Sequence, residues 1–69
     1  MSRDYAAVQL LRLGPLTYEQ FRFITCWSEI GECERVLRGL EKRRIVKRQR
    51  TMGNALYSVI PSAVSRVAA

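Results

Sequence analysis

The sequence predicts a small α+β domain, mostly α-helical, in which three helices precede a two-stranded β-hairpin. Three observations lead to this prediction. Apolar residues recur at helical spacing as far as Arg44, they alternate with polar residues after it, and residues 51–54 form a turn signal within the alternating stretch. A chain of 69 residues is the size of one domain, so residues 1–69 are assigned to a single unit.

The first helix is predicted over residues 3–13. Ser2 precedes it and can accept a hydrogen bond from the first free backbone N–H groups. Gly14-Pro15 follows it, and this pair stops a helix because proline lacks the N–H that would continue it. Its predicted inward face carries Tyr5, Val8 and Leu11.

The second helix is predicted over residues 18–26, after a capping box formed by Thr17 and Gln20. Its predicted inward residues are Tyr18, Phe21 and Ile24. Phe21, Phe23 and Trp27 fall close together in this part of the chain. Residues 21–27 are therefore expected to hold the densest part of the core.

The third helix is predicted over residues 29–43 and is expected to begin after Ser28. Apolar side chains repeat along it at intervals of three and four residues, which predicts one inward stripe. That stripe consists of Ile30, Cys33, Leu37 and Leu40. Acidic residues crowd the start of this helix and basic residues its end, a polarity that complements the helix dipole.

The hairpin is predicted to have strands over residues 45–50 and 55–60. The remaining residues, 61–69, form a tail that is either a short helix or a frayed end. The small apolar side chains of this tail could cover the core or a second subunit.

The charge of the chain favours a polyanionic partner. The net charge is +6, and residues 42–50 hold six cations and no acidic residue, whereas the remaining residues sum to zero. Ten of the 12 cations are arginine, whose planar fork of donors suits phosphates and guanine edges. Nucleic acid is therefore the first expectation and an acidic membrane surface the second.

The residues that are absent limit the chemistry. The chain has no histidine and one aspartate, so we find no nucleophile–base pair and expect neither enzymatic activity nor a metal or other cofactor. Cys26 and Cys33 are spaced as neither a redox nor a zinc motif, which predicts free thiols. With no targeting or membrane-spanning segment in view, we expect a cytoplasmic protein without a membrane or small-molecule partner.

The stretch LTYEQFRFITCWSEIGECERVLRGLEKRRIVKR resembles the winged helix-turn-helix DNA-binding domains. In such domains a Leu-Thr pair caps the second helix, and a motif like VLRGLEKRRIV forms the recognition helix and opens the wing. The resemblance implies a three-helix winged helix-turn-helix fold with a C-terminal two-stranded β-hairpin wing. It also implies a small, repressor-like transcriptional regulator of the kind found in phages and plasmids, with the recognition helix in the major groove of double-stranded DNA.

The candidate DNA contacts lie on the outer face of the third helix and on the hairpin. Arg35 is placed near the centre of that face, and Glu32 is the acidic residue placed nearest to it. Arg38 could instead pair with Glu34 on the same helix. The full predicted set is Ser28, Glu32, Arg35, Arg38, Lys42, Arg43, Lys47, Arg48, Arg50 and Asn54, with Asn54 at the tip of the turn.

Two other functions stay open on the sequence. A winged helix can be a protein interaction module, and an acidic start of the third helix would suit a basic partner. A basic hairpin could equally lie on the phosphates of structured RNA. If the partner is a symmetric DNA operator, a homodimer through the first helix or the C-terminal tail is expected.

Overall fold

The computed structural model describes residues 2–61, and its helices and strands follow the predicted order. The helices are α1 (Arg3–Arg12), α2 (Tyr18–Thr25) and α3 (Glu32–Lys42), and the strands are β1 (Leu16–Thr17), β2 (Val46–Thr51) and β3 (Asn54–Val59). The predicted fold class, mostly helical α+β with a hairpin wing after the third helix, is confirmed. The part of the predicted tail that follows Pro61 lies outside the described residues. No helix within residues 2–61 is long and apolar enough to cross a membrane.

The three strands form one antiparallel sheet in the order β1-β3-β2. Strand β1 was not predicted. It has two residues, Leu16 and Thr17, which pair with Tyr57 and Leu56 of β3. Two residues are too few to show an alternating pattern, and the partner strand is about forty residues away along the chain. The short strand anchors the start of α2 to the middle of the wing.

The first two helices begin at the predicted caps. The Ser2 hydroxyl accepts from the backbone N–H of Tyr5 at 3.1 Å. Thr17 accepts from the Gln20 N–H at 3.2 Å, and the Gln20 side chain accepts in return from the Thr17 N–H at 3.0 Å. Helix α2 ends where Cys26 takes a left-handed φ of 53°. Both cysteines are free, with Cys26 exposed and Cys33 buried.

The predicted start of the third helix is wrong by three residues. Gly31 has a left-handed φ of 78° and cannot lie inside a right-handed helix, so α3 begins at Glu32. Ser28 lies in the connection between α2 and α3 and caps nothing. Ile30 is fully exposed, at 105% of its reference area, and does not belong to the inward stripe.

The core lies between α1, α3 and the sheet rather than in residues 21–27. Its fully buried side chains are Ala7, Val8, Leu11, Phe21, Cys33, Val36, Leu37, Leu40, Ile45 and Val46. Phe21 faces inward as predicted, but Ile24 and Phe23 are 50% and 82% exposed. Phe23 is two positions from Phe21 and points to the opposite face of α2. Ile24 lies on the flank of the inward face in the last turn of the helix, which ends at Thr25, and is half exposed.

The end of α3 turns the chain directly into β2. Arg44 adopts a left-handed φ of 61°. Its N–H donates to the Glu41 carbonyl at 3.0 Å, and the Ile45 N–H donates to the Leu40 carbonyl at 2.9 Å. This pair of bonds is a Schellman motif with arginine in the position where glycine is usual. The motif turns the chain so that the basic residues after α3 continue into β2, the first strand of the wing.

The hairpin is closed by a two-residue turn. Thr51 pairs with Asn54, and Met52 and Gly53 between them have φ values of 51° and 86°. Two consecutive positive φ values are those of a type I′ turn, whose twist matches that of the strands. Asn54 is therefore at the base of the turn, and the prediction that it forms the tip is wrong.

Candidate nucleic-acid interface

The outer face of α3 is basic at its centre. The helix buries Cys33, Val36, Leu37 and Leu40 against the core. Because a helix turns by about 100° per residue, Arg35, Arg38 and Lys42 lie together on the opposite side, and all three are exposed. The structure thus brings together the three cations that the sequence placed on this face.

Two acidic residues near the start of α3 form ion pairs with one arginine of α1. The guanidinium of Arg3 donates to Glu29 at 2.7 Å and to Glu32 at 2.6 Å. The same guanidinium lies 5.1 Å from the centre of the Trp27 ring, in a cation–π contact. Carboxylates that pair with a guanidinium repel phosphate less than free ones. Glu29 and Glu32 therefore oppose the approach of a phosphate less than two unpaired carboxylates would.

Glu32 also holds Arg35. Its second carboxylate oxygen accepts from Arg35 Nε at 2.5 Å, and the Glu32 side chain is 15% exposed. Hydrogen bonds from Arg35 and Arg3 lower the pKa of Glu32 to about 2. The prediction that Glu32 reads DNA does not fit this arrangement, since both of its oxygens are engaged. Glu32 instead orients Arg35, whose terminal amino groups are left to donate.

We expect Glu32→Gln to be less stable than the wild type at neutral pH and to approach it in acid. The folded-state pKa of about 2 is below the ordinary value of 4.5. The two ion pairs therefore stabilise fully above about pH 4.5, and their contribution is lost as the pH falls toward 2. Urea unfolding at pH values of about 7, 4 and 2.5 measures the difference. Glu19→Gln is the control, because Glu19 is exposed and forms no ion pair within residues 2–61. A gap between Glu32→Gln and wild type that stays constant over this range would contradict the assignment.

Arg43 is turned away from the outer face. Its guanidinium donates to Asp4 of α1 at 2.6 Å. Its Nε also lies 3.4 Å from the Gly39 carbonyl oxygen. Arg43 thus links α1 to the end of α3, and its DNA contact stays a prediction.

The wing presents its cations on both sides of the sheet. Val46 is buried, so Arg48 and Arg50 share its side of β2, and Lys47 points to the other side. Arg48 lies 3.7 Å from Glu41 of α3, which joins the wing to the outer face of the helix. Lys47 and Arg50 are exposed and form no ion pair among the described residues. Cations therefore lie on both α3 and β2, and Arg38 and Arg48 line one groove between them together with Glu34 and Glu41.

A groove of about 240 Å³ runs between α3 and the sheet. Its lining consists of Tyr18, Glu34, Arg38, Glu41, Arg48 and Tyr57. The Tyr18 hydroxyl donates to Glu34 at 3.4 Å. The predicted pairing of Arg38 with Glu34 is not formed, and neither side chain takes part in an ion pair within residues 2–61.

Reasoning from the sequence missed Arg3 and Tyr18. Arg3 meets Glu29 and Glu32 across 26 and 29 residues of chain, and no local pattern announces such a contact. Tyr18 was predicted as a core residue, and it does pack against the core, but its hydroxyl reaches the groove. The amphipathic character of tyrosine is the signal that could have indicated this double role.

Comparison with known proteins supports the fold. A scan of family models and a comparison with curated proteins both find no match. Among solved structures, the crystal structure of a probable transcriptional regulator from Pseudomonas aeruginosa superposes with a TM-score of 0.77, over 93% of this chain at 22% sequence identity. The chain spans about half of that protein, 51% of its length.

Proposed function

We propose that this protein binds double-stranded DNA sequence-specifically and acts as a small transcriptional regulator. Helix α3 enters the major groove, and the β2–β3 wing lies on the adjacent backbone or in the minor groove. The observation that carries the proposal is that exposed cations lie on both the outer face of α3 and the wing, where Arg38 and Arg48 line one groove. The similarity in fold to a probable transcriptional regulator agrees with it.

The contacts within the chain make α3 suitable for this role. Arg3 forms ion pairs with Glu29 and Glu32, so these carboxylates repel phosphate less than free ones would. Glu32 in turn fixes Arg35 and lowers the entropy that this side chain loses when it binds a base. Lys42 has no such partner within residues 2–61 and suits a phosphate. Repression by occupancy of a promoter is the mode of regulation that we propose.

The test is binding to labelled random-sequence duplex DNA at increasing salt. We expect measurable affinity at about 50 mM salt, and log K should fall linearly with log salt, by about 0.9 for each phosphate neutralised. Double-stranded RNA of equal length is the competitor, and we expect it to compete poorly. Absence of duplex binding at low salt would refute the proposal, and preference for RNA would replace DNA with structured RNA.

One observation favours a protein partner as a second candidate. Phe23 and Ile24 lie side by side on the exposed face of α2, next to Glu19 and Gln20. The acidic start of α3 supports this alternative less, because Arg3 pairs with both Glu29 and Glu32. A protein that binds no duplex but associates with itself or with another protein, and loses this on Phe23→Ser, would favour it.

A further inference from the structure

Glu34 is the carboxylate of α3 that forms no ion pair among the residues that the structure describes. Glu32 is held by Arg3 and Arg35, and Glu41 lies within ion-pair distance of Arg48. Glu34 is exposed and forms no ion pair within residues 2–61. On a surface that binds phosphates, an unpaired carboxylate lowers the affinity unless it meets a hydrogen-bond donor.

The major groove offers such a donor most cleanly at cytosine. Cytosine presents its N4 amino group there, without an acceptor on the same base edge. Guanine presents two acceptors and thymine one, and both repel a carboxylate. Adenine presents an amino group beside the N7 acceptor, which makes it a poorer partner. A carboxylate on the readout face therefore selects cytosine.

Arg38 is placed to read the base on the other strand. It follows Glu34 by one helical turn, is exposed, and lines the same groove between α3 and the sheet. Side chains four residues apart on a helix have Cβ atoms about 5–6 Å apart. At this distance two long side chains can reach the same base pair. The guanine that pairs with cytosine presents O6 and N7, the acceptors that arginine binds with two hydrogen bonds.

Tyr18 positions the carboxylate. Its hydroxyl donates to Oε1 of Glu34 at 3.4 Å and leaves Oε2 to a ligand. Burial, and then the charge of Glu34, raises the pKa of Tyr18, so the phenol stays protonated and remains a donor.

We propose that Glu34 and Arg38 together read one C·G base pair in the DNA site, with Glu34 accepting from cytosine N4 and Arg38 donating to guanine. This inference rests on the proposed function and adds the identity of one base pair to it. Tyr18 acts through Glu34 as a positioning residue.

The test is in vitro selection of bound sequences from a random duplex library, carried out in parallel for the wild type and Glu34→Gln. We expect the wild type to enrich cytosine at one position by about tenfold. Glu34→Gln should shift that position to adenine, because glutamine binds the N6 and N7 groups of adenine together. Glu34 is exposed, so neither folding nor the core should change, and circular dichroism checks this.

Glu41→Gln is the matched control. Glu41 lies on the same helix and in the same groove, but Arg48 engages it. We expect this variant to keep the cytosine preference, with higher affinity for every sequence because Arg48 is released. Tyr18→Phe should weaken the preference without moving it to adenine.

The outcomes separate this inference from the proposed function. Identical selected sequences for wild type and Glu34→Gln would overturn the role of Glu34 while DNA binding stands. Salt-dependent duplex binding by the wild type without any cytosine-enriched position would do the same. Failure of the wild type to bind any duplex would remove the proposed function itself, and this inference with it.

Discussion

Replacing Leu40 with alanine should lower the free energy of unfolding by about 3 kcal/mol, the range found for a fully buried leucine. Leu40 is 0% exposed and lies among the buried side chains of α3 and the strand that follows it. A domain of this length has a total stability of about 3–10 kcal/mol, so the loss is a large part of the whole. Urea unfolding followed by far-ultraviolet circular dichroism measures it.

Ile30→Ala is the matched comparison. The sequence places Ile30 and Leu40 in one stripe, but Ile30 is 105% exposed because Gly31 separates it from α3. We expect Ile30→Ala to change the stability by less than about 0.5 kcal/mol. Comparable losses from the two substitutions would mean that α3 begins earlier than Glu32 and that Ile30 packs against the core.

Replacing Lys42 and Arg50 together with alanine should weaken binding to every duplex sequence by on the order of 50-fold at about 0.1 M salt. The two cations lie on α3 and β2, are exposed, and form no ion pair within residues 2–61. Each should neutralise one phosphate, so the slope of log K against log salt should fall by about 2. Titrations at several salt concentrations measure both quantities.

Arg12→Ala controls for the loss of charge alone. Arg12 ends α1, whereas the ion pairs of α1 with α3 and the residue after it are made by Arg3 and Asp4 at its other end. We expect this variant to leave the salt slope unchanged. If Arg12→Ala lowers the slope as much per charge as the double variant does, the binding surface is not the one formed by α3 and the wing.

Local signals predicted most of the fold. The caps at Ser2 and Thr17 depend on side chains within three residues of the groups they satisfy, and both form as expected. The inward stripe of α3 holds from Cys33 to Leu40. It fails at Ile30 because the left-handed φ of Gly31 interrupts the helix, and an apolar residue beside a glycine does not reveal that conformation.

The apolar composition of residues 21–27 led to the wrong prediction that this segment holds the densest part of the core. Phe23 has the hydrophobicity of a buried residue, yet it lies on the face of α2 opposite Phe21 and is 82% exposed. Hydrophobicity alone does not decide burial when a short helix has only one neighbouring layer. The two-residue strand β1 went unpredicted for a related reason, since its pairing with β3 is set by the packing of the whole domain.

The sequence predicted the residue types and positions of the candidate site. It did not predict which of these residues form ion pairs. The sequence placed the excess of positive charge in residues 42–50, and its helical spacing identified the residues on the outer face of α3. It did not reveal that Arg43 and Arg48 pair with Asp4 and Glu41, while Lys42 and Arg50 form no ion pair within residues 2–61. Which charges remain open to a partner depends on contacts between elements.

The sequence by itself determined the order of the three helices and the two hairpin strands, the caps at Ser2 and Thr17, and the location of the cations, because each depends on periodicity or on neighbours a few residues away. The tertiary structure alone decided which acidic residues are neutralised. Arg3 reaches Glu29 and Glu32 only because α1 packs beside the start of α3, whereas Glu34 lines the groove and forms no ion pair within residues 2–61. Ion pairs between distant segments depend on side-chain geometry within a few ångströms, and this geometry exists only in the folded chain.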